Sequence, residues 1–149
     1  MADIKERLRL YEGSLEYQKH LGYYRNGKFW VYLDSVSKPT IGYGHLVQKG
    51  EDFSNGLTPI EADILLAKDI ERAKAEVRSL GLSTPDDWQD FLIIMTFQLG
   101  LGGVKKFKKM IEALKQCQWS EAVKQAKDSL WYRQTPNRVN AMIQELKNK

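Results

Sequence analysis

The character of the sequence changes once, near residue 57, and this change constrains the fold more than any other feature. Residues 13–56 are rich in Gly, Tyr and β-forming residues, whereas residues 58–147 carry the apolar spacing of successive helices. Thr58-Pro59-Ile60-Glu61 marks the boundary as a capping box with proline at the first helical position. The pattern predicts an α+β protein with a small β lobe and a larger, mostly helical lobe joined by a long helix.

The length of the chain indicates one soluble domain. A chain of 149 residues is of ordinary one-domain size, so we expect a single domain over residues 1–149. Its β lobe should cover about 13–57, and its helical lobe about 1–12 and 58–149. No apolar stretch approaches the roughly 20 residues of a membrane span. The first ten residues also lack the apolar run of a secretory signal.

Residues 23–32 predict a β-hairpin. Asn26-Gly27 separates two aromatic, β-prone runs, which is the strongest short signal for a two-residue hairpin turn. The turn predicts three cross-strand pairs, namely Arg25 with Lys28, Tyr24 with Phe29, and Tyr23 with Trp30. The aromatic side chains either pack across the strands or stack on sugar rings, and packing is the simpler interpretation. Residues 34–45 predict a further turn-strand-turn unit, with bends at Gly42 and Gly44.

Capping signals and apolar spacing predict the helices. A first helix should cover about Asp3 to Tyr11 and stop at Gly13. The long helix that follows Thr58 should reach about Ser79 and bury the stripe Ile60, Ile64, Ala67, Ile70, Ala73 and Val77. The next helix, opened by Thr84-Pro85, is apolar almost all round and should be central. Later helices are expected near residues 103–116, 119–128 and 136–147.

Glu12 and Asp34 are candidates for an acid and base pair. Hydrolysis of a glycosidic bond needs a proton donor for the leaving oxygen and a second carboxylate for the water or the sugar cation. Glu12 lies at the predicted C-terminal end of the first helix, whose dipole disfavours the anion and raises the carboxyl pKa. A hairpin folds back on itself and can return Asp34 close to Glu12. Spacing alone is weak support, because the chain has 19 acidic residues and most carboxylates are solvated.

Three separated groups of residues share one order with a known family. The first is Leu8-Arg9-Leu10-Tyr11-Glu12-Gly13, and the second is Asp34, five residues, then Thr40-Ile41-Gly42-Tyr43-Gly44-His45. The third comprises Phe97-Gln98-Leu99-Gly100, Gly103-Val104 and the run from Trp131 to Arg138. Together they resemble the phage-type lysozymes, glycoside hydrolase family 24. The family pattern is a catalytic Glu, then an Asp or Cys, five residues, and a Thr leading into Gly-x-Gly-His.

The resemblance implies a two-lobed lysozyme fold with a cleft between the lobes. The implied reaction is hydrolysis of the β-1,4 bond between N-acetylmuramic acid and N-acetylglucosamine, with inversion. Glu12 would be the general acid, Asp34 would act on the attacking water, and Thr40 would orient that water. An inverting pair of carboxyls should stand roughly 6.5–9.5 Å apart.

The resemblance also assigns residues to the glycan cleft. Leu46 and Phe97 match positions that line it, and Gln98 matches a polar cleft residue tied to Trp131. This chain departs from the family between Glu12 and Asp34, where it has 21 residues instead of the common eight. The additional residues contain the predicted hairpin.

Two supporting roles follow from the same resemblance. Arg138 matches a cation that reaches the catalytic Glu, and such a cation would lower the pKa of Glu12, against the helix-end effect. His45, which alone is a candidate base, is structural by resemblance, with Asp69 as its expected ion-pair partner.

Composition bounds the cofactors and partners. With two histidines and one cysteine, a metal site built mainly from these residues is not expected, and no cofactor is implied. The formal net charge of +4 favours approach to polyanions, but no motif indicates nucleic-acid binding. We expect a monomer that acts on bacterial peptidoglycan without stable membrane insertion. The expected location is the host bacterial cytoplasm before release to the wall, by analogy with phage endolysins.

Other functions remain open at this point. A catalytically silent peptidoglycan-binding module would share the fold, because fold does not fix function. A lytic transglycosylase would cut the same glycan but leave anhydro-muramic ends. The biological role could be host lysis or local wall penetration by a component of the phage particle.

Overall fold

A computed structural model describes residues 3–34 and 37–149. Its helices are α1 (Ile4–Glu12), α2 (Leu15–Leu21), α3 (Pro59–Arg78), α4 (Asp86–Lys105), α5 (Lys108–Lys115), α6 (Trp119–Lys127), α7 (Leu130–Gln134) and α8 (Pro136–Gln144). Its short strands are β1 (Tyr24–Arg25), β2 (Lys28–Phe29), β3 (Tyr32–Leu33), β4 (Pro39–Ile41) and β5 (His45–Leu46). This content confirms the α+β class. The chain divides into two compact units, one ending at Glu71 and the other beginning at Arg72.

Helix α1 begins and ends where its sequence predicts. The Asp3 side chain accepts a hydrogen bond from the backbone N–H of Glu6 at 2.8 Å and caps the first turn. Gly13 takes a positive φ of 115° and donates its N–H to the carbonyl of Arg9. Because L residues avoid this conformation, glycine ends the helix here. Glu12 is therefore the last residue of α1.

Helix α2 lies inside the segment that was predicted to be rich in β structure, so that prediction is wrong for residues 15–21. Ser14 supplies the cap, since its Oγ accepts a hydrogen bond from the N–H of Tyr17 at 3.2 Å. Gly22, in the left-handed conformation, ends the helix after two turns. In the sequence, the local signals for this helix are Ser14 and Gly22, which flank it. The seven residues between them are too few to show a clear apolar period.

The predicted hairpin is confirmed, with its turn at Asn26-Gly27. Both turn residues have positive φ, as a type I′ turn requires, and β1 pairs with β2 in the expected antiparallel register. Phe29 is fully buried, packs edge-on against Tyr24 and Tyr43, and pairs through its backbone with Leu57. The hairpin thus contributes a core residue to the first unit.

The ring contacts of the hairpin differ from those predicted in one respect. The backbone of Trp30 donates to the carbonyl of Tyr23, as the register requires. However, the Tyr23 ring stacks on Tyr32 at 4.2 Å, whereas Trp30 lies under the guanidinium of Arg25. The cation–π contact directs Arg25 away from Lys28, whose ammonium donates to the carbonyl of Asn55. The two positive charges of this cross-strand pair thus have separate partners.

Strands β3, β4 and β5 form a separate antiparallel sheet and confirm the second turn-strand-turn unit. Tyr32 lies opposite Thr40, and Thr40 lies opposite Leu46. The link between β4 and β5 contains Gly42 and Gly44, both with positive φ. Thr40 therefore occupies the middle strand of this sheet.

Helix α3 confirms the predicted capping box but corrects the predicted apolar stripe. Thr58 and Glu61 exchange the two reciprocal hydrogen bonds of the box. Ile60 and Ile64 are exposed, and the first half of the buried face is formed by Ala62 and Leu66 instead. Both sets have helical spacing, so periodicity alone did not choose between them.

The second unit packs around α4. Residues 91–96 of this helix are all buried, as predicted, and Trp88 and Phe91 form an aromatic cluster with Trp119 and Trp131. Gly100 interrupts the helix with non-helical angles of φ 75° and ψ 162°. The helix start differs slightly from the prediction, because Pro85 takes the cap position without a side-chain hydrogen bond.

Within the described residues, no helix is long and apolar enough to cross a membrane.

The burial of Phe29 yields a stability prediction. Phe29→Ala should lower the free energy of unfolding by about 3–5 kcal/mol, because it removes a fully buried ring. Leu33→Ala, at a nearby strand residue that is 61% exposed, should change it by less than about 0.5 kcal/mol. Urea denaturation measures both. A similar small effect at the two positions would show that the hairpin does not belong to the core.

Candidate active site

The side chain of Glu12 lies directly against the backbone of Gly44. Glu12 is the last residue of α1 and is partly exposed. A β-carbon placed on Gly44 would lie 2.6 Å from Glu12 Oε2 and 2.8 Å from Cδ, so only glycine leaves room for this carboxylate. The turn between β4 and β5 therefore forms one wall of the space around Glu12.

Asp34 is held by two hydrogen bonds to the backbone of Lys38. Its Oδ1 accepts a hydrogen bond from the N–H of Lys38 at 2.8 Å, and its own N–H donates to the Lys38 carbonyl at 2.9 Å. These bonds fix both the backbone and the carboxylate of Asp34. The side chain is partly exposed, which leaves the carboxylate accessible to solvent.

Thr40 is nearly buried, and its hydroxyl proton is already engaged. Oγ1 donates to the carbonyl of Lys38 at 3.0 Å, the same carbonyl that the Asp34 N–H uses. A hydroxyl has one proton and two lone pairs. With its proton used in this way, Thr40 can only accept a hydrogen bond from a further group.

Strand β4 brings these three residues into one part of the first unit. Asp34 bonds to Lys38 at the start of the strand, and Gly44, beside Glu12, belongs to the turn at its end. Thr40 lies between them along the chain, two residues beyond Lys38 and four before Gly44.

His45 is buried between two carboxylates. Its Nδ1 lies 2.8 Å from Asp69 Oδ2, which agrees with the expected partner, and its Nε2 lies 2.9 Å from Glu51 Oε1. Only the doubly protonated imidazolium can donate to both. Burial of the ring lowers the His45 pKa, but the hydrogen bonds and charges of Asp69 and Glu51 outweigh burial, and the net pKa is raised above the ordinary value.

The remaining predicted residues lie on the sheet and in the second unit. Leu46, on β5, is 38% exposed. Trp131 Nε1 donates to Gln98 Oε1 at 2.9 Å, as the resemblance implied. Phe97 precedes Gln98 on α4 and is partly exposed, and Arg138 lies on α8 and is partly buried. The cleft roles of these residues and the approach of Arg138 to Glu12 stay predictions.

Sequence reasoning missed two polar residues that shape this region. Glu51 bonds to His45 from a loop, and no spacing rule connects it to the histidine. Gln18 is 1% exposed on α2, in a segment whose helix was not predicted. A buried glutamine has no sequence signal of its own, because the same residue type is usually exposed.

Metal binding has no support in the described part of the chain, residues 3–34 and 37–149. It contains no group of three or more His, Cys, Asp or Glu side chains placed to hold a metal ion.

Comparison with known proteins decides the family. The family model described as phage lysozyme matches residues 27–147, which is most of the chain. The chain belongs to the phage lysozyme family. The matched residues include Asp34 and Thr40 of the candidate site, whereas Glu12 precedes them. The segment between Glu12 and the matched residues contains α2, where this chain has more residues than the family pattern.

Individual relatives of this phage lysozyme family member agree. The chain is 30% and 26% identical to two proteins of Dictyostelium discoideum described as probable T4-type lysozymes 1 and 2, with 83% of this chain and 88% of each relative covered. It is 32% identical to the pre-baseplate central spike protein Gp5 of Enterobacteria phage T4, with 74% of this chain covered. The match spans only 24% of that spike protein. Family membership supports a lysozyme-type peptidoglycan hydrolase.

The raised pKa of His45 predicts how stability depends on pH. A protonated histidine that is favoured in the folded state stabilises the protein fully below its unfolded pKa, about 6.5, and loses this effect as pH rises through the folded pKa. The free energy of unfolding should therefore fall as pH rises above about 6.5. Urea denaturation across this range measures the slope.

Two variants control for other titrating groups. His45→Asn should be less stable than the wild type at pH 6 and should lose most of the slope. His20→Asn, at an exposed position on α2, should keep it. An unchanged slope in His45→Asn would contradict the assignment to the buried imidazolium.

Proposed function

We propose that this protein is a muramidase that hydrolyses the β-1,4 bond between N-acetylmuramic acid and N-acetylglucosamine with inversion. The observation that carries the proposal is the arrangement around β4, where Asp34 is anchored to the residue before the strand, Thr40 lies on the strand, and Glu12 packs against Gly44 in the turn after it. An inverting hydrolase needs two carboxyls with room for a water between them. Family membership supports the same reaction class.

Glu12 would serve as the general acid. Its proton would go to the glycosidic oxygen as the bond to the anomeric carbon breaks, which turns that oxygen into the leaving hydroxyl. The position of Glu12 supports this role. It ends α1, where the helix dipole disfavours the ionised carboxylate, and a protonated carboxyl is the form the step requires.

Asp34 and Thr40 would handle the attacking water together. Asp34 would accept one proton as the water oxygen bonds to the anomeric carbon. Because the Thr40 hydroxyl donates to Lys38, its lone pairs are free to accept the second water proton, and this would orient the water. The overall step adds a hydroxyl to the sugar carbon and a proton to the leaving oxygen, so the atoms balance.

Residues of the second unit would help to hold the glycan. Gln98 accepts the indole proton of Trp131 through Oε1, which fixes its amide and leaves the Nε2 donors for a sugar oxygen. Phe97 offers a partly exposed ring beside it, suited to the apolar face of a sugar. We include both residues, together with Leu46 of the first unit, in the proposed glycan-binding set.

The proposed biological role is degradation of the bacterial wall during phage infection. Two settings fit it, host lysis by an endolysin and local penetration by a particle component. Similarity to the central spike protein of phage T4 favours the second setting, whereas similarity to probable lysozymes of a cellular organism favours neither. Both settings use the same chemistry on peptidoglycan.

Removal of the proposed acid tests the proposal. Glu12→Gln should lower the rate of hydrolysis of purified peptidoglycan by at least ~100-fold, because general-acid catalysis contributes on this scale. Glu16→Gln is the matched control, since it makes the same change at an exposed residue of α2. Near wild-type activity in a folded Glu12→Gln variant would reject Glu12 as the acid, and absence of activity in the wild type would favour a silent binding module.

The products separate hydrolysis from transglycosylation. Hydrolysis with inversion should give reducing muramic ends, with the α-anomer as the first product detected by NMR. A lytic transglycosylase would give anhydro-muramic ends, which mass spectrometry distinguishes by the loss of one water. Detection of anhydro ends, or of the β-anomer first, would contradict the proposed mechanism.

A further inference from the structure

We infer that Gln18 is a positioning residue that holds the proposed general acid, Glu12, against the turn between β4 and β5. The inference rests on the proposed function, because it concerns the same carboxylate. It assigns a role in the reaction to helix α2, which lies where this chain has more residues than the family pattern between Glu12 and Asp34.

The first observation is the pair of hydrogen bonds made by one buried amide. Gln18 is 1% exposed, and its Nε2 donates to the carbonyl of Gly13 at 2.9 Å and to the carbonyl of Gly42 at 2.8 Å. A primary amide has two N–H donors, so these two carbonyls use both. Gln18 thereby joins the end of α1 to the turn that follows β4.

The second observation is the position of these two carbonyls relative to Glu12 and Gly44. Gly13 directly follows Glu12, and Gly42 lies two residues before Gly44, against which the Glu12 carboxylate packs. The two carbonyls bound by Gln18 thus flank the contact between Glu12 and Gly44. A change in the spacing of the segments would move the carboxylate relative to the turn.

The third observation concerns the cost of the arrangement. Gln18 Oε1 is buried and has no hydrogen-bond partner among the described residues. A buried acceptor without a partner is destabilising. The site therefore uses both donors of the Gln18 amide and leaves its acceptor without a partner among the described residues. This pattern fits a residue whose role is to fix geometry, since a residue chosen for stability alone would satisfy all its polar atoms.

The substitution Gln18→Met tests this role, because methionine has nearly the same shape but no donors. We expect kcat on soluble peptidoglycan fragments to fall roughly ten- to hundred-fold with little change in KM, since small displacements of a catalytic group cost rate more than binding. The limb of the pH–rate profile that depends on Glu12 should also move. If Gln18→Met does not fold, Gln18→Asn keeps the amide but is too short to reach both carbonyls.

Two control variants exclude trivial explanations. Gln116→Met makes the same change at an exposed glutamine of the second unit and should leave kcat unchanged. Met142→Ala removes a fully buried side chain of α8 and should lower stability without lowering kcat at temperatures where the variant is folded. A loss of kcat in Gln18→Met beyond that in Met142→Ala then reports position and not stability.

An NMR titration provides a readout that does not need activity. Because the carboxylate packs against Gly44, the Gly44 amide shift should follow the ionisation of Glu12 in the wild type and stop doing so in Glu12→Gln. In Gln18→Met this response should become much smaller or change its midpoint. An unchanged response together with wild-type kcat would overturn the inference.

The outcomes separate this inference from the proposed function. If Glu12→Gln is inactive and Gln18→Met has wild-type kcat, Glu12 remains the acid and only the positioning role fails. If Glu12→Gln stays active, the proposed function fails, and the Gly44 titration still shows whether Gln18 fixes the carboxylate.

Discussion

The arrangement of the first unit depends on the two hydrogen bonds made by the buried side chain of His45. It lies on β5 and binds Asp69 of α3 on one side and Glu51 of the following loop on the other. Burying a charge is costly unless it is paired and hydrogen-bonded, and Asp69 and Glu51 each raise the His45 pKa and favour the protonated ring. The strand that ends the Gly44 turn is thereby tied to the helix that continues towards the second unit.

The residues between Glu12 and Asp34 are integrated into the first unit and are not an external appendage. Phe29 enters the core and pairs with Leu57, close to the start of α3. Gln18 bonds to the carbonyls of Gly13 and Gly42, and Phe29 also packs against Tyr43. The segment therefore contacts the end of α1 and the turn after β4, the two places where Glu12 and Gly44 meet.

The sequence predicted best where one residue type dictates local geometry. Asn26-Gly27 strongly favours a type I′ turn, so the hairpin was predicted correctly. In the capping box, Glu61 accepts the backbone N–H of Thr58, so the start of α3 was predicted correctly too. The motif around Asp34 and Thr40 defined the candidate site, and the catalytic roles of these residues stay predictions. The placement of Glu12 against Gly44 was not predictable, because it depends on the path of the segment between Glu12 and Asp34.

The misses share a physical reason. Helix α2 is too short for an apolar period, and Gln18 and Glu51 act through contacts with residues distant in sequence or in loops, which no local pattern encodes. On α3 two alternative stripes had equal spacing, so periodicity could not choose between them. The observed stripe with Leu66 is accompanied by Asp69, which is buried against His45.

The break in α4 at Gly100 has a consequence for the surface beside Gln98. Where a helix is interrupted, the carbonyls before the break and the N–H groups after it lose their partners in the regular ladder. Gly100 is exposed, so a main-chain group freed at the break would face solvent. A hydroxyl-rich ligand would meet there a surface whose hydrogen-bonding capacity comes from the peptide backbone itself, and point substitutions of side chains would leave that capacity in place.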